Sequence, residues 1–311
     1  MNGILNVYKE AGYTSFDVVA KLRGILQTKK IGHGGTLDPQ VTGVLPIAVG
    51  NATRLLEYME GAGKVYEGQI TIGFSTETED AYGQTIAITP VKSAINEREI
   101  DESIKSFIGK IEQTPPMYSA VKVNGKRLYE YARKGERVER PSRQVDIKEF
   151  VRTSDVVFDS KKNIIIFDFK VSCSKGTYIR TLAVDLAKQL GYAGYMSALK
   201  RTASNGLNIE DAVTLQQLEK AKKEDKIAQF FYPLEYAVSD MIRLDIDKEQ
   251  YTRVQVGKFF EENEFSKEKI DSAEDFAIFY ENHLVAIYKK HPQKKGMLKP
   301  QKVLAIDKES K

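Results

Sequence analysis

An aspartate in a glycine-rich loop is the residue of this sequence best suited to acid, base or nucleophile chemistry. Asp38 lies in the segment GHGGTLDPQVTG, residues 32–43, where three glycines precede Thr36 and Gly43 follows. Such clustering favours an unusual backbone path or the close approach of a ligand. Pro39 pushes Asp38 toward extended conformations and fixes the direction of its carboxylate. The segment predicts a nucleophile or a base, although an aspartate before a proline also commonly starts an ordinary turn.

The remaining reactive residue types favour chemistry without a metal or a cofactor. His33, His283 and His291 are too far apart for a local zinc motif, and the single cysteine, Cys173, cannot complete one. One cysteine also allows no internal disulfide and fits a reducing compartment. The sequence has no phosphate-binding lysine loop, no dinucleotide glycine fingerprint and no serine nucleophile elbow. We therefore expect side-chain chemistry, with no metal and no cofactor.

Two elements flank this loop in the chain and must help to position it. Ser15 is the predicted N-cap of a helix whose apolar residues recur at helical spacing and which ends near Gln27. Residues 66–74 alternate in polarity, which predicts a half-buried strand on which Tyr66, Ile70 and Ile72 share one side.

Further periodic segments complete the predicted framework. A short amphipathic helix spans residues 100–108 and stops at Gly109, and Asn124-Gly125 is a strong hairpin signal. Residues 165–173 alternate as a strand, and residues 179–190 form a helix that Gly191 closes. Residues 276–280 and 283–288 predict a hairpin, and residues 302–306 one more strand.

Length and composition predict one large domain and a small β-rich one. The chain has 311 residues, of which 41% are hydrophobic and 29% charged, an ordinary globular composition. We place the boundary at Ser239, so that the small domain runs to the end of the chain. Neither an N-terminal apolar core of a signal peptide nor an apolar run of about 20 residues occurs. We expect a soluble cytoplasmic protein that does not enter membranes.

Basic residues are concentrated in two segments, although the net charge is only +4. Residues 121–143 carry eight basic side chains against three acids, and residues 282–306 carry six lysines and no acid. On charge alone, we interpret both segments as ordinary solvated surfaces. They also fit phosphate-binding patches of a protein that holds nucleic acid.

Six segments occur in the order of one known family across residues 1 to about 215. They read GYTSFDVVAKLR, GHGGTLDPQVTGVLPIAVGNATRL, VYEGQITIGFSTETEDAYGQ, TPPMYSAVKVNGKRLYEYARKG, SKGTYIRTLAVDLAKQLG and LKRT. Together they resemble the pseudouridine synthase B family, whose signature loop follows a G-H-x-G-x-L-D-P-x-A-T-G pattern. The chain departs from the family at Gly34, Val41 and Glu10, where threonine, alanine and proline are frequent.

The resemblance implies a role for each matching residue. Asp38 matches the catalytic aspartate, Tyr66 the tyrosine that contacts the flipped base, and Arg180 the arginine that pairs with the aspartate. From the residues alone, Tyr66 could be a simple core aromatic and Arg180 an exposed arginine, although a cation in the first turn of a helix opposes the helix dipole. The substrate contacts matched elsewhere are His33, Asp80, Tyr178 and Leu199, and Asp80 could simply shape a turn.

The resemblance also implies a fold and an RNA partner. The expected architecture is α+β, with a large mixed, mostly antiparallel sheet flanked by helices and a small C-terminal β-barrel of PUA type. Residues 1–238 would form the catalytic domain, with an RNA-gripping insertion at about 121–143, and residues 239–311 would form the RNA-binding domain. The implied reaction converts uridine 55 in the TΨC loop of tRNA to pseudouridine without a cofactor or an obligate protein partner. The C-terminal lysines would meet the acceptor end.

Three alternatives differ in activity or target. A tRNA-folding chaperone could use the same cleft without chemistry, and a related synthase could act on another RNA such as rRNA. A glycoside hydrolase would need two carboxylates flanking one bond, and only Asp38 has a strong local context. Release of hydrogen from C5 of uridine separates the chaperone from the synthase, and mapping the modified site separates the two synthases.

Overall fold

Two β-sheets of different size form the framework of the protein. The computed structural model describes residues 1–304, apart from the side chains of Glu60 and Ala62. Its helices are α1 Ser15–Leu26, α2 Glu97–Lys105, α3 Leu128–Arg133, α4 Ile179–Gln189, α5 Leu215–Lys223, α6 Lys248–Gln255 and α7 Lys267–Asp271. Its strands are β1 Gly3–Lys9, β2 Ile31–His33, β3 Thr42–Val49, β4 Lys64–Ile72, β5 Phe74–Thr76, β6 Thr85–Ile88, β7 Gly109–Gln113, β8 Lys122–Val123, β9 Lys126–Arg127, β10 Arg143–Arg152, β11 Val157–Asp159, β12 Ile164–Cys173, β13 Gly194–Ser204, β14 Leu207–Asn208, β15 Phe231–Tyr232, β16 Ile242–Asp245, β17 Phe260–Glu261, β18 Asp275–Tyr280, β19 His283–Lys290 and β20 Met297–Val303.

The larger sheet has eleven strands and is mostly antiparallel. Its order is β15-β1-β3-β13-β4-β12-β10-β7, with β2 beside β3, β14 beside β13 and β11 beside β12. The parallel pair is β3 with β13, joined where Lys200 and Arg201 face Thr42 and Gly43. Helices α1 and α5 pack on the β1–β3 half, and α2 and α4 pack on the β4–β12 half. The predicted mixed, mostly antiparallel sheet flanked by helices is confirmed, and β13 lies where its two halves meet.

The N-cap of helix α1 lies one residue earlier than the sequence predicted. Thr14, and not Ser15, is the N-cap, because the Thr14 hydroxyl accepts from the Asp17 amide and the Asp17 carboxylate accepts from the Thr14 amide. Ser15 is the first helical residue, and its side chain is free to bond elsewhere. The predicted end is confirmed, since Gln27 closes the helix in a left-handed conformation.

The strand predicted over residues 66–74 is displaced. Strand β4 ends at Ile72, and Phe74 instead begins β5, which pairs with β6 in a separate two-stranded ribbon. Gly73 separates the two strands with a φ of 136°, and a Cβ there would lie 2.8 Å from the Asn163 carbonyl oxygen. Alternation of polarity continued across this break, so the pattern could not reveal it. The shared side of Tyr66, Ile70 and Ile72 is confirmed by their common apolar cluster.

Most of the other predicted elements are confirmed. The hairpin at Asn124-Gly125 joins β8 to β9 with both turn residues at positive φ. Strand β12 and helix α4 occupy the predicted segments. Helix α2 ends at Lys105, short of the predicted residue 108, and Gly109 begins β7.

The second sheet has five strands in the order β16-β18-β19-β20-β17. The predicted hairpin is confirmed as β18 and β19, joined by Glu281 and Asn282 at positive φ. The last strand, β20, begins at Met297, earlier than the predicted residue 302, and residues 305 and 306 of that prediction lie outside the described residues. Of the helices described, none combines the length and apolar character that crossing a bilayer requires.

The two sheets share a continuous apolar core. Ile4 and Val44 of the larger sheet belong to the same buried cluster as Phe279 and Ile287 of the smaller one. Around this core, Arg54 donates to the Val303 carbonyl, Tyr58 contacts Gln301 at 3.0 Å, and Lys302 pairs with Glu57 at 3.0 Å. Burial of this kind holds the two sheets in a fixed arrangement.

Candidate active site

The loop that carries Asp38 follows a path that glycine makes possible. It connects β2 to β3. Gly43 has a φ of 108°, and a Cβ there would lie 2.1 Å from the Arg201 carbonyl oxygen, which leaves no space for any other residue. Gly35 has a φ of 106°, also in the left-handed region. The glycines thus allow the loop to lie directly against β13.

Hydrogen bonds from the first elements of the chain fix the loop around Asp38. The Leu37 amide donates to the Ser15 hydroxyl at 2.9 Å. Ser15 can accept this bond because its hydroxyl does not cap helix α1. The Lys9 ammonium donates to the carbonyls of Pro39 at 2.9 Å and Tyr13 at 2.6 Å. These contacts hold the residues on either side of Asp38, and so restrict the carboxylate to one direction.

Lys9 is a supporting residue that the sequence analysis missed. Its relative exposure is 0%, and burial lowers the pKa of Lys9 to about 8, although Asp38 raises it. A lysine in an exposed-looking sequence, VYKEAG, gives no signal that it turns inward. Its three carbonyl acceptors belong to Glu10, Tyr13 and Pro39, and this arrangement becomes visible only in the folded chain.

Asp38 and Arg180 form a two-pronged ion pair. Arg180 Nε lies 3.0 Å from Asp38 Oδ2, and Nη2 lies 3.4 Å from Oδ1. The Arg180 side chain is 7% exposed, whereas Asp38 is 41% exposed toward the cleft. Arg180 also donates to the carbonyls of Thr78 at 2.8 Å and Tyr118 at 3.0 Å. The arginine is therefore fixed by main chain on both sides, and an exposed surface arginine is the wrong interpretation.

Two opposing effects set the charge of Asp38. Burial is the larger and raises the pKa of the Asp38 carboxyl above its usual value, Arg180 lowers it, and Asp80 raises it. The carboxylate is exposed only through the mouth of the cleft, so the protein around it still removes much of its hydration. A carboxylate that is held by one arginine and poorly hydrated is suited to act as a nucleophile or a base.

Four predicted residues meet Asp38 around one cavity. The cavity has a volume of about 500 Å³, which falls in the range of small-molecule sites. Its predicted lining residues are Asp38, Tyr66, Tyr178, Arg180 and Leu199. Tyr66 is 7% exposed on β4, and the Arg143 guanidinium lies 4.8 Å from the ring centre of Tyr178. The arrangement places a carboxylate and aromatic faces around a space for a planar ring.

Asp80 and His33 do not line this cavity. Asp80 lines a second cavity of about 850 Å³ that also contains Asp38. Its carboxylate accepts from the Thr78 hydroxyl at 2.6 Å and the Tyr82 amide at 2.9 Å, so Asp80 does shape its turn as well. His33, at the end of β2, lines neither cavity, and burial lowers its pKa.

Residues 121–143 form one wall of the site. They contain the β8–β9 hairpin and α3, and Val121 and Tyr129 reach the cavity. The guanidinium groups of Arg127 and Arg133 lie 5.8 Å and 5.3 Å from the Tyr129 ring centre. This segment therefore combines basic and aromatic side chains at the entrance to the cavity that contains Asp38.

Arg201 is a second residue that the sequence analysis missed. It belongs to the quoted LKRT segment, in which only Leu199 was given a role. The structure buries Arg201 completely and places it opposite Tyr66 in the register of β13 and β4.

Among the described residues, no group of three or more His, Cys, Asp or Glu side chains is placed to hold a metal ion.

Known proteins match this chain over nearly its full length. Residues 23–179 match the TruB family pseudouridylate synthase (N terminal domain), and residues 180–239 match the tRNA pseudouridylate synthase B C-terminal domain. The tRNA pseudouridine synthase B of Lactococcus lactis subsp. lactis (strain IL1403) is 59% identical, over 98% of each chain. That of Streptococcus mutans serotype c is 55% identical, over 97% of this chain and 99% of the relative.

Solved structures agree on the fold. A chain of an H/ACA RNP bound to a substrate RNA containing 2'-deoxyuridine superposes with a TM-score of 0.70 at 24% identity, over 98% of this chain and 85% of the other. A chain of a Cbf5-Nop10-Gar1 complex gives a TM-score of 0.66 at 26% identity, over 97% and 84%. The larger sheet therefore has the pseudouridine synthase fold. On the family matches and the identities, the chain belongs to the TruB family of pseudouridylate synthases.

Proposed function

We propose that this protein converts uridine 55 in the TΨC loop of tRNA to pseudouridine, with Asp38 as the catalytic carboxylate and without a cofactor. The observation that carries the proposal is the Asp38–Arg180 ion pair at a cavity lined by Tyr66, Tyr178 and Leu199. The relatives named tRNA pseudouridine synthase B support tRNA as the substrate.

The reaction needs an acidic group but no external energy. Uracil is detached from C1′, turned, and rejoined through C5, and the proton on C5 is lost while N1 gains one. Asp38 acts at the sugar or at the base, and Arg180 fixes its direction through the two-pronged contact. Holding the reacting groups in one geometry accounts for a large part of such a barrier.

The target nucleoside must leave its stack before it can enter the cavity. A base in a loop is less costly to extrude than one inside a helix. Stacking of the base on Tyr66 is worth roughly 1–3 kcal/mol, which offsets part of that cost. Tyr178 and Leu199 line the same cavity and complete its walls, while Asp80 and His33 are proposed contacts to the neighbouring nucleotides.

RNA would be held at two further surfaces. We assign the gripping role to residues 121–143, whose basic side chains stand beside the cavity. Residues 239–311, which include the five-stranded sheet, are proposed as a PUA-type RNA-binding domain. Lys290 and Lys302 pair with Glu274 and Glu57, so other lysines of that segment would supply the charge that meets the acceptor end of tRNA.

Mapping of the product tests the proposed target. The purified protein is incubated with an unmodified tRNA transcript and, separately, with a T-stem-loop and an rRNA fragment. We expect pseudouridine at position 55 of the tRNA and at the equivalent position of the stem-loop. Modification of the rRNA fragment instead would assign another target, and RNA refolding without any pseudouridine would favour the chaperone.

A further inference from the structure

Arg201 is a buried cation that faces Tyr66 across the sheet. Its relative exposure is 0%, and it is the cross-strand partner of Tyr66 in the β13–β4 register. The guanidinium carbon lies 6.0 Å from the centre of the Tyr66 ring. Within residues 1–304, no carboxylate forms a salt bridge with Arg201. A buried charge without a counter-ion destabilises a fold, which favours a functional role for Arg201.

The hydrogen bonds of Arg201 reach the loop that carries Asp38. Its Nε donates to the Val44 carbonyl at 2.8 Å, and Nη2 donates to the Gly35 carbonyl at 3.1 Å. One of these carbonyls precedes Asp38 in the chain and the other follows it. Through a single side chain, the strand that faces Tyr66 is therefore connected to both ends of the catalytic loop.

Within residues 1–304, three titratable groups act electrostatically on the Tyr66 hydroxyl. They are Arg201 from β13, Cys173 from β12 and Asp38 from the loop. Burial raises the pKa of Cys173 to about 11, so its thiol is neutral over the working range of pH. Burial also raises the pKa of Tyr66, and Arg201 is the strongest group that opposes this rise. Arg201 is thus the cation that offsets part of the cost of forming the Tyr66 phenolate in this buried position.

We propose that Arg201 is a positioning residue of the reaction, which holds Tyr66 against the Asp38 loop and places an uncompensated positive charge beside the Tyr66 ring. This inference rests on the proposed function. When uracil has been rejoined to C1′ through C5, the C5–H bond breaks and its electron pair returns to the uracil ring. The proton passes to the Tyr66 phenolate oxygen, and a phenol O–H bond forms. Arg201 acts through Tyr66 and does not line the cavity.

The test separates the charge of Arg201 from its structural contacts. Arg201→Gln removes the charge and keeps a donor for one carbonyl, whereas Arg201→Lys keeps the charge and loses the planar fork. Single-turnover rates on a T-stem-loop are measured from pH 6 to pH 11, beyond the ordinary pKa of a tyrosine, together with KM and the thermal melt. We expect Arg201→Gln to lower the rate by about 100-fold, with KM within threefold, and to move the rise of rate with pH to higher pH. Arg201→Lys should keep the wild-type pH profile at a reduced rate.

Two controls make the result specific. Arg152→Gln alters another largely buried arginine, one that pairs with Glu97 and Asp101, and should lower stability with no change in rate or pH profile. Tyr66→Phe removes the proposed base, so adding Arg201→Gln to it should cause little further loss of rate.

Several outcomes would overturn the role of Arg201. The first is a pH profile in Arg201→Gln that does not shift. The second is an equal shift of the pH profile in Arg201→Gln and Arg201→Lys. The third is a loss of rate in the Tyr66→Phe, Arg201→Gln double variant that equals the sum of the two single losses in free energy. If Arg201→Gln does not melt cooperatively, Arg201→Lys in the Tyr66→Phe background decides, because additivity there also contradicts the proposal. Failure of the proposed function is a separate result, since the wild-type protein would then make no pseudouridine in the stem-loop.

Discussion

At the scale of single residues, the site contains charged groups that lack matching counter-ions and that hydrogen bonds hold in place. Asp38 is partly desolvated and is paired with one arginine, while Lys9 and Arg201 are buried nearby without a matching number of acids. Such an arrangement lowers stability and is typical of sites that bind or transform an anionic or polarised ligand. The cost is concentrated where the proposed reaction occurs.

The Arg180 fork provides a direct test of positioning. Arg180→Lys keeps a cation near Asp38 but cannot reach Asp38 and the carbonyls of Thr78 and Tyr118 together. We expect kcat to fall by about 100-fold, with a small change in KM, because directed hydrogen bonds of this kind are lost. Steady-state kinetics and a thermal melt measure both. A variant that loses its cooperative melt would show instead that Arg180 is mainly structural.

Lys9 predicts a pH dependence of stability. Its pKa is about 8 in the folded chain and has an ordinary value of 10.5 when unfolded. Between these values the unfolded chain binds more protons, so the free energy of unfolding rises with pH, by about 2 kcal/mol from pH 8 to pH 10. Urea unfolding of the wild type and of Lys9→Met should show this difference in slope, because the tyrosines and Cys173 are common to both. Equal slopes would place an ordinary, solvated ammonium at Lys9.

At the scale of elements, the contact between the glycine loop and β13 determines the site. Gly43→Ala would place its Cβ 2.1 Å from the Arg201 carbonyl oxygen at a φ of 108°. We expect the free energy of unfolding to fall by at least about 3 kcal/mol. Gly24→Ala in α1 meets nothing within 4 Å and should stabilise by about 0.5–1 kcal/mol. Chemical denaturation of the two variants measures both values, and a neutral Gly43→Ala would mean that the loop does not approach β13.

The same scale shows what a sequence can and cannot reveal. Periodicity located β12 and α4, and two apolar runs on either side of Glu281-Asn282 located the β18–β19 hairpin. It extended β4 through Gly73, since alternation continues where the strand changes sheet. Asp38 could be proposed from its own loop. Lys9 and Arg201 could not, because their partners are carbonyl groups and an aromatic ring brought together only by sheet pairing.

At the scale of the whole molecule, one basic surface borders the cleft and a second lies on the smaller sheet. The wall formed by residues 121–143 is adjacent to the cavity, whereas the lysines of residues 289–302 belong to the second sheet. The shared core between the sheets fixes their separation. If both surfaces bind RNA as proposed, the two would contact two parts of one folded RNA at once, which would strengthen binding without new contacts at the cavity.

Salt dependence tests the basic wall. The double variant Arg127→Gln, Arg133→Gln should bind tRNA more weakly and reduce the slope of log affinity against log salt by about 2. The matched control, Lys220→Gln with Lys223→Gln on α5, changes two exposed cations that do not line the cavity. Filter binding over a range of potassium chloride gives the slopes. An unchanged slope in the arginine variant would remove residues 121–143 from the RNA interface.

The most direct measurement is release of tritium from C5 of uridine in tRNA by the wild type and by Asp38→Asn. The wild type should release one equivalent per tRNA. Asp38→Asn should release none, bind tRNA with a Kd within threefold, and still melt cooperatively. Release by Asp38→Asn at more than about a tenth of the wild-type rate, a loss far smaller than removal of a catalytic group causes, would contradict the role of Asp38.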